Sequence, residues 1–227
     1  FNAAENLSSE GTKRDSLEFS LMKARLEIYY ENIPSNSLRN FKERFNENPS
    51  DSNKYGLALA YQKNNQYKES IALIENLISL YPKNLVLNNT KIDILLDYGE
   101  YENALNLANE FLEISPRNYP LSISKSKILL AMKKYFESEE IIRDQLLRKN
   151  SNPELWLLLS EIQRSSKNII GYHQSRAEYF LLLGQNERAV NQLEFALKLV
   201  QNNFQVADRI MTKIIDIKDK INESRGL

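Results

Sequence analysis

The side chains able to do chemistry are few and scattered. His173 is the only histidine, so no His-based metal site and no HExxH helix exists in this chain. On a helix, among Gln174, Ser175, Arg176 and Glu178, it reads as a packed or partly exposed residue. Carboxylates cluster at Glu137, Glu139 and Glu140 and at Asp93 and Asp97. A hydrolase would need two of them converging in a desolvated pocket, whereas helix-surface acids among Lys and Arg are ordinarily solvated. With no cysteine, thiolate nucleophiles, disulfides and Cys-based zinc sites are excluded together. Gly11, Gly56, Gly99, Gly171, Gly184 and Gly226 are too dispersed for a phosphate loop, and neither GxSxG nor GxGxxG occurs. No catalytic, cofactor or metal site is expected within these residues.

Composition narrows the remaining classes. Thirty basic residues balance thirty acidic ones, which disfavours nucleic acid as a partner because such binders carry a basic excess or stripe. No apolar run reaches the ~20 residues of a membrane span, so no membrane insertion is expected. A hydrophobic fraction of 42% with only six Gly and six Pro is that of a helical chain with a continuous core.

The elements that would position any functional side chain announce themselves by a period. Tyr67, Tyr101 and Tyr135 follow one another at 34-residue steps, and Pro82 and Pro116 keep the same step. A period of this length marks stacked helix–turn–helix units. Helical periodicity predicts helices near 15–31, 35–47, 51–64, 67–80, 85–98, 101–114, 119–133, 135–149, 153–166, 169–183, 186–200 and 203–223, with no strand.

The repeat can be written three times: Leu57, Ala58, Tyr61, Tyr67, Ser70, Ile74, Leu77, Pro82; then Lys91, Ile92, Leu95, Gly99, Tyr101, Ala104, Ala108, Phe111, Pro116; then Lys125, Ser126, Leu129, Tyr135, Ser138, Ile142, Gln145. A fourth copy around Trp156, Leu159, Ser160 and Gln163 has Ile169 where the tyrosine would fall. Small residues (Ala58, Ser70, Ala104, Ser138) allow two helices to approach, large ones fill between hairpins, proline ends the second helix, and the tyrosine opens it and packs back on the first. Trp156 reads as core. Lys91 and Lys125 stand at usually apolar positions, with stems on the core and heads in water.

These residues resemble the tetratricopeptide repeat (TPR). The resemblance implies an all-α TPR-type helical-hairpin solenoid, a superhelix of about 12 antiparallel helices with a C-terminal capping helix. Residues 1–14 read as a linker from a preceding, protease domain and 15–227 as a single solenoid. Regular repeats cover about 51–150, degenerate and phase-shifted ones about 151–200, and the cap about 203–223. Within the degenerate part, Ala177, Phe180, Gly184, Asn186, Ala189, Leu193 and Ala196 read as a repeat displaced by half a unit. The cap carries Ile210, Ile214, Ile217 and Ile221 as one stripe. On the N-terminal helix, Phe19, Met22, Leu26 and Tyr29 are spaced for one face.

In the TPR family the first helix of each pair lines a concave groove. The resemblance therefore implies a protein-binding wall of Tyr55, Leu59, Gln62, Lys63, Asn89, Asp93, Leu96, Asp97, Ile123, Lys127, Leu130, Leu157, Glu161 and Arg164. Tyr55 and Leu59 stand where some members carry the Lys and Asn that clamp a chaperone's terminal carboxylate, which argues against that clamp. An extended peptide or protein loop suits the mixed lining.

The runs Asp15–Arg25 and Gln174–Val190 are further similar to segments of BepA/YfgC-type proteins, periplasmic zinc metallopeptidases with a C-terminal TPR domain. This implies that the chain is the docking half of a periplasmic metalloprotease and chaperone for outer-membrane protein assembly. The zinc would lie in the parent's N-terminal protease domain, itself a partner alongside outer-membrane protein clients or assembly machinery. The alternatives are a stand-alone, cytoplasmic TPR adaptor or co-chaperone and, from another class, an RNA-binding helical repeat.

Overall fold

A computed structural model describes residues 17–200 and 203–225; the expected linker 1–14 lies outside them. All regular structure among the described residues is α-helical. The twelve helices are α1 (residues 17–30), α2 (Pro34–Glu47), α3 (Asp51–Lys63), α4 (Tyr67–Leu80), α5 (Leu85–Tyr98), α6 (Tyr101–Ile114), α7 (Tyr119–Ala131), α8 (Tyr135–Leu146), α9 (Pro153–Ser165), α10 (Ile169–Leu182), α11 (Asn186–Leu199) and α12 (Phe204–Arg225). Contacts divide the chain into two compact units meeting in sequence at Glu110 and Phe111, inside α6. Within each unit, helices adjacent in sequence pack on one another, as in α3 with α4 and α10 with α11.

Two local devices set the period. Helices α3, α5, α7 and α9 are preceded by Ser50, Asn84, Asn118 and Asn152, whose side chains accept hydrogen bonds from first-turn amides. Each such cap satisfies a donor the helix leaves open and stabilises by about 1 kcal/mol. The turn inside each hairpin needs a left-handed residue, supplied by Asn65 (φ 59), Gly99 (φ 89), Lys133 (φ 62) and Lys167 (φ 63). Both series step by 34 residues, so the period persists through α9 and the start of α10. The half-unit offset read around Ala177 is in the backbone as well: Asn168 caps α10, and Gly184 (φ 70), half a period after Lys167, makes the left-handed turn before α11, so α10 starts as the second helix of one hairpin and serves as the first helix of the next.

Small residues sit at the close approaches. Ser70 Oγ donates to the Ala58 carbonyl at 2.7 Å, and Ser126 and Ser138 exchange hydrogen bonds across α7 and α8, all fully buried. Gly56 is required: a Cβ there would stand 2.0 Å from the Phe41 ring of α2. The half-buried stem of Lys91 ends in an ion pair with Glu75 at 2.8 Å.

The periodic tyrosines are less buried than packing residues should be. Tyr101 is more than a third exposed, and Tyr67 and Tyr135 are half-buried. Tyr67 lies 5.4 Å, centroid to centroid, from Tyr98 of α5, the following hairpin. Trp156 is likewise half-buried, packed on the Ile142, Leu155 and Leu159 core and donating from Nε1 to the Asn150 carbonyl at 2.7 Å.

Helix α12 closes the C-terminal unit as a cap. Ile210, Ile214 and Ile217 are buried with Ile221 beside them, against Ala177, Phe180, Ala189 and Leu193. Lys213 and Lys218 tie α12 to Glu178 of α10 and Glu194 of α11.

The N-terminal helix departs from the sequence expectation. The face of α1 in the core is Leu17, Leu21, Ala24 and Ile28, while Phe19, Met22, Leu26 and Tyr29 are exposed. Both sets have helical spacing. Ala24, only 3% exposed, marks the side on which α1 can approach its neighbours closely.

Candidate functional site: a cleft in the N-terminal unit

The N-terminal unit holds a cleft of about 560 Å³ built by α1, α3 and α5, with Asn65 and Tyr67 at its edge. Helices α1 and α3 run parallel, since their contacts advance together: Ser52 Oγ donates to the Ser20 carbonyl, Arg25 reaches Tyr55, and Lys63 reaches the Ile28 and Glu31 carbonyls. Lys63 thus caps the C-terminal end of α1, where the helix dipole favours a cation.

A polar relay fixes the back of the cleft. Arg25 donates from Nε and Nη2 to the Tyr55 hydroxyl at 3.0 and 2.8 Å, and from Nη2 to Thr90 Oγ1 at 2.6 Å. Thr90 spends its own proton on the Val86 carbonyl at 2.7 Å. The Tyr55 hydroxyl therefore donates to Thr90 Oγ1 at 3.0 Å, the direction the donor inventory requires. Arg25 and Lys63 are structural cations, held by hydroxyls and carbonyls.

The lining also carries acid. Asp93 and Asp97 stand one turn apart on α5. Asn89 Nδ2 donates to the half-buried Asp93 at 3.2 Å. Asp97 is exposed at the opening and accepts from Gln62 Nε2 at 2.7 Å, a neutral donor that orients the carboxylate without cancelling its charge. Ile28, Tyr29, Leu59 and Tyr67 supply apolar and aromatic surface around it.

Of the wall residues expected in this unit, Leu59, Gln62, Lys63, Asp93 and Asp97 line the cleft. Tyr55 is the correction: it is fully enclosed behind Arg25 and offers no surface to a ligand. Asn89 is buried against Asp93, and Leu96 is half-buried outside the lining. Helix α1 contributes Arg25, Ile28 and Tyr29, which the sequence expectation misses because it takes the wall only from the first helices of the repeats, beginning at α3.

In the C-terminal unit, Ile123 and Leu130 pack on the core of α8 and α9, Leu157 is half-buried, and Lys127, Glu161 and Arg164 are exposed. None of the six lines the clefts of about 700 Å³ and 470 Å³, which share Arg143 and Trp156, or the one of about 490 Å³ between α11 and α12. Of the residues screened for chemistry, His173 and Glu139 are engaged in packing and pairing, while Glu137 and Glu140 are exposed. His173 Nδ1 lies 2.9 Å from Gln192 Oε1, with the ring stacked on Phe195, and Glu139 holds Arg143 at 2.6 Å. Among the described residues no three His, Asp or Glu side chains gather as metal ligands, and no helix is long and apolar enough to cross a membrane.

Paired helices stacked at a 34-residue step define the class: this is a TPR-type helical solenoid. No protein-family model matches the chain, and no curated protein matches it in sequence. Solved structures carry the likeness. The chain is similar to a thermophilic TPR protein of Thermus thermophilus, at 17% identity and a TM-score of 0.53 over 87% of this chain and 98% of that one. It is similar to pilF of Pseudomonas aeruginosa at 13% identity and 0.54, over 89% and 99%. A tetratricopeptide repeat protein of Parabacteroides merdae aligns at 12% identity and 0.52, over 80% and 78%. At such identities the likeness is one of fold.

Proposed function

We propose that the chain is a protein-interaction adaptor whose N-terminal cleft takes an extended peptide carrying a basic residue beside an aliphatic or aromatic one. The pairing of an outward carboxylate with apolar surface carries this reading. Asp97 is exposed and oriented by a neutral donor among Ile28, Tyr29, Leu59 and Tyr67, while Arg25 and Lys63 are held by the fold. A Lys or Arg side chain complements that charge, and its neighbours fill the apolar surface. Probing an array of extended peptides with the 227-residue chain is expected to enrich basic–apolar sequences. Asp97→Lys and Asp97→Asn, both at an exposed position, should each weaken the selected peptides by about tenfold with an unchanged helical circular dichroism signal. Equal binding by both variants, or enrichment of acidic peptides, would overturn the assignment.

A second reading is the docking half of a periplasmic zinc metalloprotease and chaperone for outer-membrane proteins. The similarity of Asp15–Arg25 and Gln174–Val190 to that family supports it, whereas the fold-level likenesses support the adaptor in general. On this reading the same cleft holds client or assembly-complex segments, and zinc belongs to the preceding domain. Sequencing the gene upstream of the Phe1 codon separates the two. An HExxH helix behind a secretory signal favours the protease, and the absence of both removes it.

A further inference from the structure

The exposed apolar stripe of α1 has the register of a seam. Phe19, Met22, Leu26 and Tyr29 alternate by three and four residues, the a and d positions of two successive heptads. Phe19 and Tyr29 are 72% and 75% exposed, and Met22 and Leu26 about half exposed. The core-facing set Leu21, Ala24 and Ile28 falls on nearly the opposite side of the helix. A partner on the stripe would therefore meet α1 without displacing it.

The flanking charges say what that partner is. Glu18 occupies the g position and Lys23 the e position five residues on. Both are exposed, and neither has an ionic partner among the described residues. In a parallel two-stranded seam, g of one helix meets e of the next heptad on the other. Two copies of α1 side by side in parallel thus bring Glu18 of each to Lys23 of the other, a self-complementary pairing about a two-fold axis. With aromatic side chains offering ~150–250 Å² each, the four stripe residues present on the order of 500 Å² per copy. Twice that, about 1,000 Å², reaches the area a specific interface must clear and suits a dimer of modest affinity.

We propose that α1 is a homodimerisation helix, joining two copies of this chain through a parallel seam of Phe19, Met22, Leu26 and Tyr29 flanked by Glu18–Lys23 pairs.

Sedimentation velocity of the full chain over about 1–300 µM tests this, a span matched to micromolar affinity. The expected result is a monomer–dimer equilibrium. Leu26→Glu should weaken it at least ~100-fold by burying two unpaired charges, with the same melting temperature at monomeric concentrations. Glu18→Lys should weaken it roughly fivefold to tenfold, as two solvent-exposed pairs become repulsive. The double reversal Glu18→Lys with Lys23→Glu should restore wild-type affinity. A monomer throughout the range, a dimer indifferent to Leu26→Glu, or a double reversal no tighter than Glu18→Lys would each overturn the proposal.

Discussion

Replacing Tyr55 by phenylalanine removes one oxygen and tests how α1 is held. The hydroxyl accepts two N–H bonds from Arg25 and donates one to Thr90, in a side chain with no exposed surface. Hydrogen bonds to a charged group are worth about 1.5–3 kcal/mol. Two features of the site reduce that figure: Arg25 is only part-buried and regains water, and its Nη2 keeps Thr90 at 2.6 Å. The expected loss is about 1–2 kcal/mol, which lowers the melting temperature by roughly 3–6 °C in a chain of this size. Urea unfolding followed at 222 nm measures the loss, and hydrogen exchange locates it, with protection falling first in residues 17–30. Arg25→Met should cost a similar amount. The double variant should be less destabilised than the sum by about 1 kcal/mol, since both changes sever one link. An additive pair, or a Tyr55→Phe variant within about 0.3 kcal/mol of wild type, would refute the relay as what fastens α1. A charged residue at Tyr55, natural if that position faced a groove, should instead unfold the unit.

Other positions give sharp expectations. Gly56→Ala places a Cβ 2.0 Å from the Phe41 ring and should destabilise the packing of α2 on α3 by about 1–3 kcal/mol in the same urea assay. Lys133→Gly and Lys167→Gly relieve left-handed backbone at φ 62 and φ 63 and should each raise stability by up to about 1 kcal/mol, while Gly99→Ala should lower it comparably. Ile210→Ala, at a site 2% exposed on the capping helix, should cost about 2–4 kcal/mol and open α12 before α10 in hydrogen exchange. The Tyr81 hydroxyl donates to Asp51 at 2.7 Å, and that bond, then desolvation and the carboxylate's charge, raise its pKa above the ordinary 10.0. Folding therefore favours the protonated phenol. Its stabilisation is complete below pH 10.0 and is lost as pH climbs through the raised value, so the alkaline loss of stability should be shallower in Tyr81→Phe.

The fold was legible because it is written as a period, and the period has a physical origin at two kinds of position. Helix starts depend on a side chain that can accept from a free amide, and Asn84, Asn118 and Asn152 recur for that reason. Hairpin turns depend on a left-handed residue, which glycine advertises at Gly99 but lysine conceals at Lys133 and Lys167. The tyrosines kept the same step without being the most buried residues. Their value was as a marker of phase, while the packing weight falls on Ile74, Ile142, Leu77 and the small residues between helices.

The site was legible only in part, and α1 shows why. Its sequence carries two apolar sets, Leu17–Leu21–Ala24–Ile28 and Phe19–Met22–Leu26–Tyr29, each with helical spacing, and periodicity cannot rank them. Size decides instead. Ala24 lets α1 approach closely, and Arg25, the next residue, reaches between α3 and α5 to the Tyr55–Thr90 relay. That choice removes Tyr55 from the groove, buries it, and leaves Asp97 as the exposed acid at the cleft opening. It also leaves the larger apolar set facing out. A helix that satisfies its own fold with the smaller of two greasy faces has the larger one available for a partner, so one packing decision shapes both the peptide cleft and the proposed dimer seam.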